Sequence, residues 1–182
     1  MALSIVSTTL NLGFLTIVHE NGGYVGGYLV TNPWGRPLEF RLSSPVQPNR
    51  IQQILYGGTL QPYLYADLIG KTLIEKTGTA AQCIFTDCEA ALDLRLCLDV
   101  PVIWLAPSHD PVAEDLADEG SCVRPSLAGE NLFIHHPCFP SDRPIICEIL
   151  EHIDTGMELS EPFARIRQAL TEARKMGVTS RA

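Results

Sequence analysis

The sequence predicts a single α/β domain built on a mixed sheet, and three observations predict it. Ala81-Gln82-Cys83-Ile84-Phe85 and Val100-Pro101-Val102-Ile103-Trp104-Leu105 are short runs apolar on both faces, as buried parallel strands are. The stretch from Cys88 to Asp99 between them has about the dozen residues that a parallel crossover requires. Residues 10–43 read as an antiparallel meander. The chain has 182 residues, 46% of them hydrophobic, with mean hydropathy +0.11, which is ample core material for one domain. The domain spans 1–177, with the meander at 10–43 and the parallel unit at 81–106; 178–182 reads as a frayed tail.

The elements follow in order. Phe14 to His19 is the first strand, and Asn21-Gly22-Gly23 is its hairpin turn, since Asn and Gly accept positive φ. Tyr24 to Thr31 is the second strand, where Gly26-Gly27 signals a bulge or a close backbone approach. Asn32-Pro33-Trp34-Gly35 places Pro and Gly where a type I turn prefers them. The third strand alternates, with Leu38, Phe40 and Leu42 on one face and Glu39 and Arg41 on a wet one. Asn49 caps a short helix carrying Ile51, Ile54 and Leu55, which Gly57-Gly58 ends. A longer helix follows, with Thr59 near its start. Its stripe is Tyr65, Leu68, Ile69, Thr72 and Leu73, and Gly78 stops it. Thr86 and Glu89 have the spacing of a capping box at the start of the crossover helix.

Residues 107–130 are the least patterned, and Asp110, Glu114, Asp115, Asp118 and Glu119 form an acidic tract there. That tract lacks the alternating ligands and central Gly of a calcium loop and reads as a solvated face. Asn131 to His136 reads as another strand. Ser141 or Asp142 caps a helix running to about Ile153, with Pro144 in its first turn. Ser160 caps the last helix, whose buried stripe is Phe163, Ile166, Leu170 and Ala173.

Charge narrows the partners. The net charge is −8, from 21 acids and 13 bases, with no Lys/Arg cluster. That balance speaks against nucleic acid and against an anionic membrane surface. The N-terminal run lacks the basic n-region of a signal peptide, and Ser7-Thr8-Thr9 interrupts it. No stretch approaches the ~20 apolar residues of a membrane span. A cytoplasmic protein with mostly reduced cysteines is the expectation.

Chemistry is expected where the parallel strands end. If Phe85, Leu105 and the strand before His136 are neighbours, their loops gather three groups of residues. These are Asp87 with Cys88, then Ser108, His109 and Asp110, then His135, His136, Cys138 and Asp142. Cys88 in the first turn of a helix would have a lowered thiol pKa, His109 could take its proton, and Asp110 or Asp142 could orient the ring. The competing reading is that strand-end loops are polar in any protein and that Asp87 and Asp142 serve as caps. His135, His136, Cys138 and Asp142 are compact enough to suggest a metal, but adjacent histidines on a strand point to opposite faces and the cysteine spacing matches no zinc module. Neither a metal nor a cofactor is expected. Gly22-Gly23-Tyr24-Val25-Gly26-Gly27 departs from G-x-G-x-x-G and precedes no helix, so it is no nucleotide loop.

Trp34, Tyr24, Tyr28, Tyr56, Tyr63 and Tyr65 form an aromatic N-terminal half, and Trp and Tyr are favoured interface anchors. Trp34 either projects from its turn as an anchor or folds back as a lid over the meander. The run from Gly27 to Phe40, with Ile54-Leu55-Tyr56-Gly57 and Leu68-Ile69-Gly70-Lys71, resembles a group of uncharacterised bacterial proteins of similar length. The resemblance implies a bacterial cytosolic protein and carries over no activity, cofactor or catalytic residue. The expected function is a non-catalytic interaction or oligomer subunit with a protein partner or self-association, Trp34, Tyr28, Ser108, His135 and Asp142 being its candidate binding residues. The alternative is a small cysteine-dependent hydrolase or transferase using Cys88, His109, Asp87 and Asp110.

Overall fold

A computed structural model describes residues 9–117 and 131–177. Asp118, Glu119, Cys122 and the expected tail 178–182 lie outside the described residues.

The meander forms as expected: β1 (Leu12–Glu20), β2 (Gly23–Thr31) and β3 (Pro37–Leu42) are joined by two tight turns. Asn21 (φ 50°) and Gly22 (φ 75°) take the left-handed backbone of the hairpin, and Gly35 (φ 79°) does so in the second turn, where its N–H donates to the Asn32 carbonyl. β4 (Cys83–Thr86) pairs parallel to β1, and β5 (Val102–Pro107) pairs parallel to β4. β6 (Asn131–His135) pairs antiparallel to β5. Among the described residues the sheet has six strands in the order β3-β2-β1-β4-β5-β6, with β1 as the hinge between its antiparallel and parallel parts. This is the single mixed α/β domain that the sequence predicted.

Helices cover both faces. α1 (Arg50–Tyr56) begins at a capping box in which Asn49 and Gln52 bond reciprocally. The helical run 57–75, α2, passes from a 3-10 turn (Gly57–Thr59) through Leu60–Pro62 and a π-helix (Tyr63–Gly70) into Lys71–Glu75. A 3-10 segment (Glu89–Leu96) makes the crossover to β5. α3 (Pro111–Ala117), α4 (Asp142–Glu151) and α5 (Glu161–Lys175) follow. Strand alternation sorts the core into two layers. Phe14, Leu29, Phe85 and Ile103 meet α4 and α5, whereas Leu15, Val30, Ile84 and Trp104 meet α2 and the crossover.

Three expectations change. Leu68 is 37% exposed, because the π-helix carries more residues per turn and rotates it off the stripe; Leu64, Tyr65, Ile69 and Leu73 are buried instead. The Thr86–Glu89 capping box does not form: Cys88 is the N-cap, without a side-chain cap bond, and Thr86 Oγ1 accepts from the Cys88 N–H at 3.2 Å. Gly26 and Gly27 mark close approach rather than a bulge. The β2–β3 register shift falls at Val30/Thr31, while a Cβ on Gly26 would overlap Ile69 and one on Gly27 would overlap Ile166. Cys83, Cys88, Cys97 and Cys138 are free thiols, and Cys147 is disulfide-bonded.

Candidate functional site

The carboxyl end of β4 stops at Thr86, level with Leu15, while β1 runs on to Glu20. Asp87 therefore falls beside Thr16, on the face covered by α5. Thr16 Oγ1 donates to Asp87 Oδ1 at 2.7 Å, and Arg167 of α5 pairs with Asp87 Oδ2. Thr16 is fully buried and the Asp87 side chain is 15% exposed. The carboxylate is thus held at two points.

Cys88 turns to the opposite face, towards α2. Its Sγ donates to the Ile17 carbonyl and to Asp87 Oδ1, at 3.8 and 3.3 Å. Burial, and then the negative Asp87 beside it, push this thiol up to about 12. That is the reverse of an activated nucleophile. The expected lowering fails because Cys88 precedes a 3-10 segment instead of sitting inside an α-helical first turn. Tyr65 lies nearby in α2 and is also pushed up to about 12, mainly by burial. Its ring meets Tyr24 edge-on, and Tyr24 stacks on His19 at 4.4 Å.

His109 does not join this cluster. Trp104 of β5 is level with Thr86, and His109 sits beyond the end of β5 in a tight turn closed by the Asp110 N–H donating to the Pro107 carbonyl at 3.0 Å, while the Cys88 thiol is bonded to Ile17 and Asp87. Ser108 and His109 are exposed on the loop into α3. Asp110 caps α3, its Oδ1 accepting from the N–H groups of Val112 and Ala113.

The third expected loop is at the other end of the sheet. β6 is antiparallel to β5, with Pro107 opposite Asn131 and Ile103 opposite His135. His135, His136, Cys138 and Asp142 consequently lie near the start of β5, not its carboxyl end. His136 is buried, with Nε2 3.4 Å from Asp93 Oδ1, while burial pushes His135 below its ordinary pKa. Asp142 is buried in an ion pair with Arg95. Both of its carboxylate oxygens are taken up by Arg95, at the end of the sheet away from His109. Among the described residues no three His, Cys, Asp or Glu side chains cluster to hold a metal.

Tyr28 is 1% exposed, a core residue packed against Gly13, and is withdrawn as a binding residue. Trp34 is the opposite case: it is 71% exposed and does not fold back. It borders an open cleft of about 470 Å³ with Gly35, Gly156, Met157, Glu158, Glu161 and Arg165. Arg165 also lines a second, apolar groove with Leu29, Pro37, Phe40, Ile166 and Ala169. Leu38 and Phe40 are 47% and 36% exposed: α5 packs chiefly on β1 and β2, and only its edge residues Arg165, Ile166 and Ala169 border Phe40. Trp34, Leu38 and Phe40 thus make an apolar rim along one sheet edge. Sequence alternation found the face of Leu38 and Phe40; it carried no signal of how far α5 would cover it.

Fold and surface together define a three-layer α/β domain with an open, apolar sheet edge and a strand-end carboxylate locked by its neighbours. No family model and no curated protein matches the chain. Among solved structures it is similar to a protein of unknown function from Archaeoglobus fulgidus (9% identity, TM-score 0.44, covering 77% of this chain and 86% of that one). It is also similar to Ciona intestinalis endonuclease V in complex with a 24mer DNA (13% identity, TM-score 0.44, covering 92% and 88%). The D234N form of that enzyme with a 23mer DNA matches at 13% identity and TM-score 0.43, covering 89% and 86%. The exclusion of nucleic acid drawn from the charge balance is corrected: both endonuclease V structures hold DNA. Among the described residues no helix is long and apolar enough to cross a membrane.

Proposed function

We propose that this chain works by protein–protein contact, as an interaction or oligomer subunit, and not as a catalyst. The observation that carries the reading is the exposure of Trp34, in the β2–β3 turn, together with Leu38 and Phe40 of the edge strand β3. Exposed apolar side chains along a sheet edge are the kind of surface that marks association sites, and a projecting Trp is the kind of side chain that anchors them. The alternative, a hydrolase or transferase, has less support: Cys88 is held protonated and makes no bond to His109, and Asp87 is engaged by Thr16 and Arg167.

Light scattering after size exclusion, with affinity capture on the immobilised chain, tests the reading. The natural chain is expected to self-associate or to retain a protein in stoichiometric amount. Trp34→Asp is expected to lose that association at an unchanged melting temperature. A strictly monomeric natural chain that retains nothing overturns the proposal.

A further inference from the structure

We infer that two copies of this chain pair through β3, antiparallel and centred on Phe40, so that two six-stranded sheets become one; this deepens the interaction reading above and rests on it. Among the described residues β3 is the outer strand of the sheet, paired with β2 alone. Just past it, the Ser43 N–H donates to the Gly26 carbonyl of β2 at 2.9 Å. Alternate residues of an antiparallel strand direct their backbone groups to the same side. Glu39 and Arg41, in step with Ser43, therefore bond to β2, and the N–H and C=O of Phe40 and Leu42 point out of the sheet. An open edge of this kind is a template for another strand.

The side chains select which strand. Leu38-Glu39-Phe40-Arg41-Leu42 has the same chemical pattern from either end, except that its two charges have opposite sign. Antiparallel pairing about a two-fold axis at Phe40 sets Phe40 opposite its copy, and the regular ladder ends at Leu38, the residue that β2–β3 pairing skips between Pro37 and Glu39. The pairing also sets Glu39 opposite Arg41, twice. Opposite charges directly across a ladder stabilise it and like charges destabilise it. Moving the axis one residue either way would face Glu39 with Glu39, or Arg41 with Arg41, so charge fixes the register. The backbone agrees: Phe40 bonds outward, which makes its pair the hydrogen-bonded kind, and Glu39 and Arg41 then fall in the closer, non-hydrogen-bonded pairs. Arg41 pairs with Glu39 of its own strand through Nε and Nη2, at 3.0 and 2.9 Å, and with its side chain 49% exposed it can turn from that partner to Glu39 of the second copy. The strand is complementary to itself, so the occupant is a second copy.

Sedimentation of the full 20.0 kDa chain should give a dimer of twice that mass, dissociating on dilution. Arg41→Glu faces two pairs of acids and should raise the dimer dissociation constant about tenfold or more. Phe40→Cys should be locked as a covalent dimer by mild oxidation, since hydrogen-bonded pairs stand ~5.5 Å apart between Cα atoms, within disulfide reach. The natural chain, treated alike, should not be. If Arg41→Glu loses its fold by circular dichroism, the Phe40→Cys result decides alone. A chain monomeric at every concentration, or a dimer that Arg41→Glu leaves intact and Phe40→Cys does not lock, overturns β3 pairing. A monomer that still retains a different protein through Trp34 sinks this pairing and leaves the interaction reading standing; a monomer that retains nothing sinks both.

Discussion

Arg95 and Asp142, 47 residues apart in sequence, meet in a two-point ion pair: Nε donates to Oδ2 at 2.7 Å and Nη2 to Oδ1 at 3.2 Å. The Asp142 side chain is 3% exposed and that of Arg95 is 12%. Nη1 also donates to the Leu98 carbonyl, and the guanidinium lies over the Phe139 ring at 4.0 Å. The pair ties the end of the crossover to the first residue of α4. The hydrogen bonds that Arg95 donates to Asp142 raise the Arg95 pKa further, so the cation is permanent.

Breaking this pair should cost much more than an exposed one. Asp142→Ala leaves a buried guanidinium without its counter-charge and is expected to destabilise the fold by about 3–5 kcal/mol. The double variant Arg95→Met, Asp142→Leu removes both charges and should recover most of the loss. Urea denaturation of the three chains checks both statements; a single variant as stable as the natural chain contradicts them.

The glycines of β2 are spaced for helices on both faces. A Cβ at Gly27 would overlap Ile166 of α5, and one at Gly26 would overlap Ile69 of α2. Gly26→Ala and Gly27→Ala should each destabilise by about 1–3 kcal/mol, through overpacking rather than backbone strain. Pairing Gly27→Ala with Ile166→Val makes room and should return part of the loss. Thermal melts of the single and double variants measure it.

How far the sequence could be read follows from these residues. The parallel unit was legible because Cys83 to Phe85 and Val102 to Leu105 are apolar on both faces, a pattern that only burial between two layers requires. The turns were legible because Asn21, Gly22 and Gly35 must reach positive φ. The direction of β6 was not legible: the connection after β5 is long enough for either orientation, and its antiparallel run carries His135 and Asp142 away from Cys88. The partners of the charged groups were hidden for a related reason. Arg167 and Asp87 are 80 residues apart, and only the docking of α5 on β1 brings them together. The exposure of Phe40 likewise depends on where α5 ends its cover.

Glu39 sits on the face that the sequence marks as wet, yet it is a clasp. Its carboxylate accepts from the N–H groups of Gly78 and Thr79, at 3.2 and 2.8 Å, tying β3 to the loop before β4. Those backbone bonds, and then the bond from Arg41, hold its pKa down from 4.5 to about 2. A depressed carboxyl stabilises the fold above its unfolded pKa and loses that contribution as pH falls through the folded value. Glu39→Gln should therefore be less stable than the natural chain at neutral pH, with the gap closing between about pH 4.5 and pH 2. Melting temperatures across that window test it; a gap that stays constant denies Glu39 this part.

Cys88 offers the sharpest chemical test. Its pKa is lifted from 9 to about 12, so at neutral pH it carries about a thousandfold less thiolate than an ordinary cysteine. Thiolate is the species that iodoacetamide alkylates. Cys138 is exposed and serves as the comparison within the same molecule. Cys88 should be alkylated at least a hundredfold more slowly, read by mass spectrometry of digested samples over time. Asp87→Asn removes the neighbouring negative charge and should speed the reaction several-fold, although burial, the larger cause, keeps it slow. If Cys88 in the natural chain reacts as fast as Cys138, its thiol is not held protonated, and a nucleophilic function for it regains its standing.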